Sequence, residues 1–488
     1  MSTHAAMLLA MLLPAAGALG VLLTGARPNG REAVSLITGG IVFLTVANLY
    51  SGFDAGAMTT LVLAEPLPGI SLAFRAEPLG VLFALIAATL WPVTTLYSIG
   101  YMRAHGEQHQ TRFYAYFAIA IAAVMGIAFA ANLYTLFLFY EALTLSTYPL
   151  VTHSGTDAAR AGGRTYLGLL LGSSIGLQLI AIVATHWLAG TTDFQAGGIF
   201  PGAIGATTLG ILLFLYAYGI GKAALMPLHR WLPAAMVAPT PVSALLHAVA
   251  VVKAGVFSIM KVVVYIFGID RIADLPAQQW LTWIAAATIL IASLIALRQD
   301  NLKRRLAYST VSQLSYVVLG AMLATQAGVF GGTLHIAMHA FAKITLFFCA
   351  GAIMITTHRT EVSQLDGLGR AMPITMTAFL LASLSLVGLP PGGGLWSKWY
   401  LALGTIEAGD LLLLAVLLIS SLLNLSYLMV IPLRAFLRRP AGEHGIAIRE
   451  APWPAATALS LTALLSIAMF FVPGPAADLA QQTAIAAR

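Results

Sequence analysis

Runs of about twenty apolar residues recur along the whole chain, each long enough to cross a bilayer as a helix. Hydrocarbon offers no partners to backbone N–H and C=O groups, so repeated runs of this kind fold as a bundle of transmembrane helices. Fourteen spans are legible, at about 5–24, 33–50, 78–99, 113–130, 132–151, 166–189, 203–227, 241–264, 278–297, 305–325, 328–357, 371–407, 410–433 and 452–472. Only 9% of the 488 residues are charged, against roughly 25% in a soluble domain. The longest polar loop, 434–451, is too short to bury a core of its own. The expected fold is an all-α polytopic membrane protein. One segment departs from it: at 59–76 two β-prone runs flank a Pro66-Leu67-Pro68-Gly69 turn, which predicts a small extramembrane hairpin. The N-terminal run has no positive n-region and reads as a retained first span.

Two spans are expected to be broken. In the seventh, Gly219, Gly221 and Pro227 surround Lys222, and Pro233, Pro239 and Pro241 come soon after. Proline removes a backbone donor and ends helices. The twelfth is too long for one straight crossing and contains LeuProProGlyGlyGly at 389–394, which reads as two half-helices around a break. Lys222 and Lys398 lie 176 residues apart (398 − 222), each beside its own break. Paired breaks in two halves of a chain point to inverted repeats around a midplane path.

Charge placement gives orientation. Of the 25 Lys and Arg, seventeen fall in loops of one parity, only Arg75, Arg271 and Arg488 in loops or ends of the other, and five inside spans. The positive-inside rule then puts both termini outside. It also accounts for the net charge of +7 without nucleic acid. The five intramembrane cations are Lys222, Lys253, Lys261, Lys343 and Lys398, with no Arg among them. Each costs at least ~2.5–3.5 kcal/mol at membrane depth, so each is a functional candidate. Arg keeps its proton in proteins, whereas a buried Lys can release one, so an all-Lys set suits exchangeable protons.

Glu141 is the one acid that falls well inside a span. It is either a switchable partner that modulates the proton affinity of Lys222 or half of a fixed ion pair. Lys222 and Lys253 sit deep in their runs, which favours proton carriage over snorkelling to an interface. Lys261, nearer the end of the eighth span, is expected to snorkel. His335, His339 and Lys343 recur at i, i+4 and i+8, one helix face with about 6 Å per step. Histidine titrates nearest neutral pH, so the face suits a relay, the alternative being helix–helix hydrogen bonding. For His247, an accessory relay group and a satisfied polar contact both stand. His186 reads as interfacial. Lys398 is the terminal candidate, although Trp396 and Trp399 beside it would also mark an interface. The basic run 300–310 is explained by orientation alone and is expected to hold no site. No carboxylate or cysteine completes a ligand set around the histidines, so neither metal nor cofactor is expected. Cys349 is the single cysteine, which excludes an internal disulfide.

The motifs FYEALTLSTYPLV (139–151), GKAALMPLHRWLPAAMVAPTPVSALLHAVAVVKAGV (221–256), LKRRLAYSTVSQLSYVVLG (302–320) and HIAMHAFAKITLFFCAGAI (335–353) make the chain resemble a known family. It is that of the proton-conducting antiporter-like subunits shared by Mrp-type cation/proton antiporters, respiratory complex I and membrane-bound hydrogenases. The resemblance covers essentially the whole chain. It implies fourteen helices with two inverted five-helix repeats and broken helices 7 and 12. It implies an N-terminal part at 1–112, a first repeat at 113–264, a second at 278–433 and a C-terminal loop and helix at 434–488. It also implies that Glu141 pairs with Lys222, and that protons pass Lys253, His335, His339 and Lys343 and leave through Lys398.

Sixteen residues come after the last span, where the largest complex I antiporter-like subunit carries a long lateral helix. Lys398 stands where the size-matched complex I subunit usually has Glu. The resemblance is therefore nearest to the D subunit of an Mrp-type sodium/proton antiporter, with a redox-driven proton pump as the alternative. A stand-alone solute carrier is disfavoured, because no set of polar groups suits an organic substrate. The implied partners are other membrane subunits in a bacterial cell membrane, with protons and sodium as the ions moved. With one membrane carboxylate, sodium is expected to cross mainly elsewhere in the complex.

Overall fold

Proline, serine, threonine, asparagine and aspartate write the helix starts. The computed structural model describes residues 1–439 and 448–488, so part of the polar loop 434–451 lies outside the described residues. Helices α1 (Thr3–Leu23), α2 (Pro28–Ser51), α3 (Pro78–Ala104), α4 (Gln110–Phe129) and α5 (Leu133–Val151) are succeeded by α6 (Asp157–Ala189) and α7 (Ala206–Gly219). Then come α8 (Thr240–Phe267), α9 (Pro276–Arg298), α10 (Leu302–Met322) and α11 (Gln326–Thr357). The chain ends with α12 (Pro373–Val387), α13 (Gly394–Glu407), α14 (Leu411–Leu437), α15 (Trp453–Phe471) and α16 (Gly474–Ile485). Proline opens α2, α3, α9 and α12, where a missing N–H costs nothing. Side-chain oxygens of Asn132, Thr156, Asn301, Thr325 and Asp410 cap α5, α6, α10, α11 and α14.

Ten helices are long and apolar enough to cross a membrane. With α5, α10 and two broken crossings, α7 with 220–237 and α12 with α13, the described residues make fourteen crossings. The protein is thus an all-α polytopic membrane protein. The helix α16, which lies beyond the last span, has no counterpart among the elements expected from the sequence.

The centre is α11, whose residues from Gly328 to Ile353 are all buried. It packs on α3, α8, α10, α12, α13 and α15. A helix enclosed on every side must satisfy each polar group through its neighbours. That requirement brings its histidines and lysine into contact with other helices.

Loops of like parity meet at the same end, as alternating crossings require. At one end strands β1 (Thr60–Leu67) and β2 (Ile70–Arg75) pair antiparallel around Pro68–Gly69, the expected hairpin. They bond to the α4–α5 link, with Ala131 N to Ala73 O at 3.0 Å. The C-terminal carbonyls of Ala486 and Ala487 accept from Gly197 and Ile269 at the same end. At the other end Arg103 pairs with Glu32, and Arg434 pairs with Asp366 at 2.7 Å.

Lys261 corrects the snorkelling expectation. It is fully buried and pairs at 2.9 Å with Glu77, also fully buried, while donating to Ala130 O at 2.7 Å. Arg75 holds the same carboxylate. By sequence Glu77 falls outside the spans, but the hairpin, α3 and α8 fold over it.

Candidate functional site

Both expected breaks are present, and each seats a lysine. Helix α7 stops at Gly219, and Lys222 lies in the next turn of chain. The indole of Trp231 donates to the freed carbonyl of Gly221 at 3.0 Å. The backbone of Lys222 and Ala223 presses on α8 at Gly255, where a Cβ would come 2.3 Å from Ala223 N. Only glycine allows that approach. The second break comes directly after α12. Gly388 takes φ +88°, and a Cβ there would lie 2.9 Å from Lys398 Cδ. Lys398 Nζ donates at 3.0 Å to the carbonyl of Val387, the last residue of α12, so a cation meets a helix C-terminus.

Between the breaks runs a series of buried polar contacts. Lys253 Nζ lies 2.6 Å from His339 Nδ1. The His339 and His335 rings are 5.9 Å apart. His335 Nδ1 meets Ser397 Oγ at 2.8 Å, next to Lys398, and its Nε2 meets Gln313 Oε1 at 3.0 Å. Tyr316 stacks on His335, with ring centroids 5.5 Å apart, and Lys398 Nζ sits 5.0 Å from the tyrosine ring centroid. Lys343 Nζ donates to Ser309 Oγ at 2.9 Å and to Leu306 O at 3.2 Å. His247, on a π-helical turn of α8, meets Thr310 Oγ1 at 3.0 Å through Nδ1. All these lysines and histidines are buried.

The first half is assembled differently from the expectation. Lys222 Nζ donates to Tyr140 O at 2.8 Å and Thr144 Oγ1 at 2.6 Å, and lies 3.1 Å from the Tyr140 ring centroid. No ion pair joins it to Glu141 among the described residues. Neither carboxylate oxygen of Glu141 has a hydrogen-bond partner there. The backbone at Lys222 packs on Gly255, two residues from Lys253, and no hydrogen bond links the two lysine side chains among the described residues.

Sequence reasoning missed Tyr140, Thr144, Ser309, Thr310, Gln313, Tyr316 and Ser397. The run 300–310 also departs from its expectation of holding no site: its last two residues hold Lys343 and His247. The available signal was the polar stretch Ser309-Thr310-Val311-Ser312-Gln313-Leu314-Ser315-Tyr316 inside a span. Intramembrane polar groups face bundle interiors or cavities.

Two broken crossings, each seating a buried lysine, and the lysine–histidine series between them define a multi-pass membrane protein whose ionisable side chains are gathered inside its helix bundle. The chain belongs to the family described as NADH:quinone oxidoreductase/Mrp antiporter, TM, whose profile matches residues 130–424. That stretch contains every candidate from Glu141 to Lys398. NADH-quinone oxidoreductase subunit N of Desulforudis audaxviator is 32% identical over 425 residues, covering 85% of this chain and 84% of that one. NAD(P)H-quinone oxidoreductase chain 5 of Picosynechococcus sp. is 32% identical over 349 residues, covering 67% of this chain but 50% of that longer one. Among solved structures, a chain of the Mrp complex from Dietzia sp. DQ12-45-1b matches with a TM-score of 0.87 at 21% identity, over 99% of this chain and 97% of that one. A chain of the archaeal membrane-bound sulfane sulfur reductase matches at 0.85 and 25% identity, over 99% and 97%. A chain of respiratory complex I from Thermus thermophilus matches at 0.75 and 22%, over 95% and 97%.

Proposed function

We propose that this chain is the proton-translocating membrane subunit of a multisubunit Mrp-type sodium/proton antiporter. Protons are relayed between Lys222, Lys253, His339, His335, Lys343 and Lys398, with Glu141 biasing Lys222. The observation that carries the reading is the contact series Lys253–His339–His335–Ser397, buried and ending beside a lysine at a helix break. In this reading 113–264 and 278–433 are two inverted repeats, 1–112 and 434–488 flank them, both termini lie outside, and the membrane is the bacterial inner membrane. The relay itself needs no cofactor. Neighbouring membrane subunits supply the coupling.

A second reading is a proton-pumping subunit of a redox complex. The relatives matched in sequence favour it, above all the quinone oxidoreductase subunit N matched over most of both chains. Lys398, in place of the Glu usual in the size-matched complex I subunit, favours the antiporter.

The deciding experiment is transport in inverted vesicles from an antiporter-deficient host expressing the complete gene cluster. The antiporter reading expects sodium to collapse ΔpH, and Lys222→Ala, Glu141→Ala and Lys398→Ala each to abolish the collapse while the complex still assembles. Acidification on adding an electron donor, without any sodium dependence, would select the redox pump. Transport that survives all three substitutions would overturn the relay under either reading.

A further inference from the structure

Among the buried histidines of the series, His335 has a partner on each ring nitrogen. Nδ1 lies 2.8 Å from Ser397 Oγ, and Nε2 lies 3.0 Å from Gln313 Oε1. Both partners are buried. Gln313 serves this ring alone, for its Nε2 has no hydrogen-bond partner among the described residues. Ser397 Oγ has a second contact and donates to Gly394 O at 3.0 Å, one turn back in α13. Tyr316 stacks on the ring, with centroids 5.5 Å apart. The other titratable groups around it are His339, one turn along α11, Lys253 beyond His339, and Lys398 beside Ser397. Of the remaining helices against α11, α12 and α15 carry no titratable side chain, Tyr97 of α3 donates to Phe348 O farther along, and Asp478 of α16 is exposed.

We infer that Gln313 is a positioning residue. Its Oε1 keeps the ring hydrogen of neutral His335 on Nε2, so His335 takes up and releases protons at Nδ1 alone. The inference rests on the relay reading above and adds which atom of His335 exchanges. A carbonyl oxygen only accepts, so the nitrogen that faces it must carry hydrogen. A hydroxyl has one hydrogen and also accepts. When Nδ1 is bare, the Ser397 O–H turns to it. When Nδ1 gains a proton, it donates to Ser397 Oγ, and the hydroxyl turns back to Gly394 O. The proton comes from one neighbour in the relay and leaves for the other, while Gln313 and Ser397 keep the hydrogens they began with. A proton that entered at one nitrogen and left from the other would leave the tautomer inverted. The ring, buried and stacked on Tyr316, would then have to turn over before the next proton. Exchange at one nitrogen needs only a hydroxyl to rotate. A reversed Gln313 amide would donate to Nε2 and force the hydrogen onto Nδ1, so the two orientations predict opposite tautomers.

Tautomers are read directly by nitrogen NMR on isotope-labelled histidine. The whole complex is measured as wild type, Gln313→Glu and Gln313→Met, with subunit content checked in each. Subtracting the His335→Gln spectrum isolates the ring, and the pH is raised until one of its nitrogens is bare. In the wild type that nitrogen should be Nδ1. Glutamate keeps an acceptor oxygen and should keep this tautomer. Methionine keeps the length but offers no acceptor, so it should give a mixture, with proton flux in vesicles down about fivefold or more. A side chain that merely filled space would be replaced by methionine without either change. Hydrogen on Nδ1 in the wild type, or an unchanged tautomer or flux in Gln313→Met, overturns the inference, and the wild-type spectrum decides even if Gln313→Met fails to assemble. The spectrum requires no transport, so these outcomes leave the relay standing. Flux that survives Lys222→Ala, Glu141→Ala and Lys398→Ala would instead overturn the relay, and with it the exchange at Nδ1, whatever the tautomer.

Discussion

Lys261 and Glu77, both fully buried, face each other at 2.9 Å beneath the hairpin, with Arg75 on the same carboxylate. Breaking a buried pair from one side leaves an uncompensated charge, which costs about 3–5 kcal/mol, whereas replacing both members by apolar groups is often neutral. Glu77→Leu should therefore lower the melting temperature of the purified complex markedly, because Lys261, among Phe194, Phe257 and Tyr265, is left without its carboxylate partner. Glu77→Leu with Lys261→Met should recover most of the loss. Equal melting temperatures for the single and double variants would show that the charge was never the cost.

Helix breaks were readable where glycine and proline write them, as at 219–227 and 388–394. The π-helical turns at Leu245–Val249 and Val263–Phe267 of α8 were not, for they contain neither the glycine nor the proline that marks a break. A π-turn inserts one residue into the ladder and re-aims the side chains beyond it, so the angle between His247 and Lys253, which α-helical spacing already puts on different faces, is not the one that spacing gives. The polar side of α10 escaped notice for a related reason: the orientation rule explained its basic start, and nothing in that rule speaks about Ser309 or Thr310. Outside the membrane, the element that joins α11 to α12 is pinned by Asp366, which accepts from Arg434 at 2.7 Å. That guanidinium holds the Asp366 carboxyl below its ordinary value, which is ~3.9 in an unfolded chain. A depressed carboxylate contributes stability above the unfolded value and loses it as pH falls through the folded one. Amide exchange across 358–372, corrected for its intrinsic pH dependence, should thus hold level from about pH 8 to 5 and rise only below about pH 4. Asp366→Asn should exchange faster throughout. A rise already at about pH 6 would assign the pin to a histidine instead.

At the scale of the molecule, fourteen crossings, their alternation and the hairpin could be read from hydropathy, cation bias and turn residues, because lipid leaves a chain few alternatives. What the chain moves depends instead on which ligands meet inside it. The described interior is rich in lysine, histidine and hydroxyls, which suit protons. Sodium prefers several hard oxygens, carboxylates among them. Glu77 is already paired with Lys261 and Arg75, and no group of three or more acidic, histidine or cysteine side chains is placed to hold a cation among the described residues. We therefore expect protons to cross this chain and sodium to cross a neighbouring subunit. Reconstituted alone in liposomes with an imposed ΔpH, the chain should admit no radioactive sodium above empty vesicles, whereas the whole complex should. Sodium uptake by the isolated chain that Glu141→Gln abolishes would reverse this assignment and place the cation on α5.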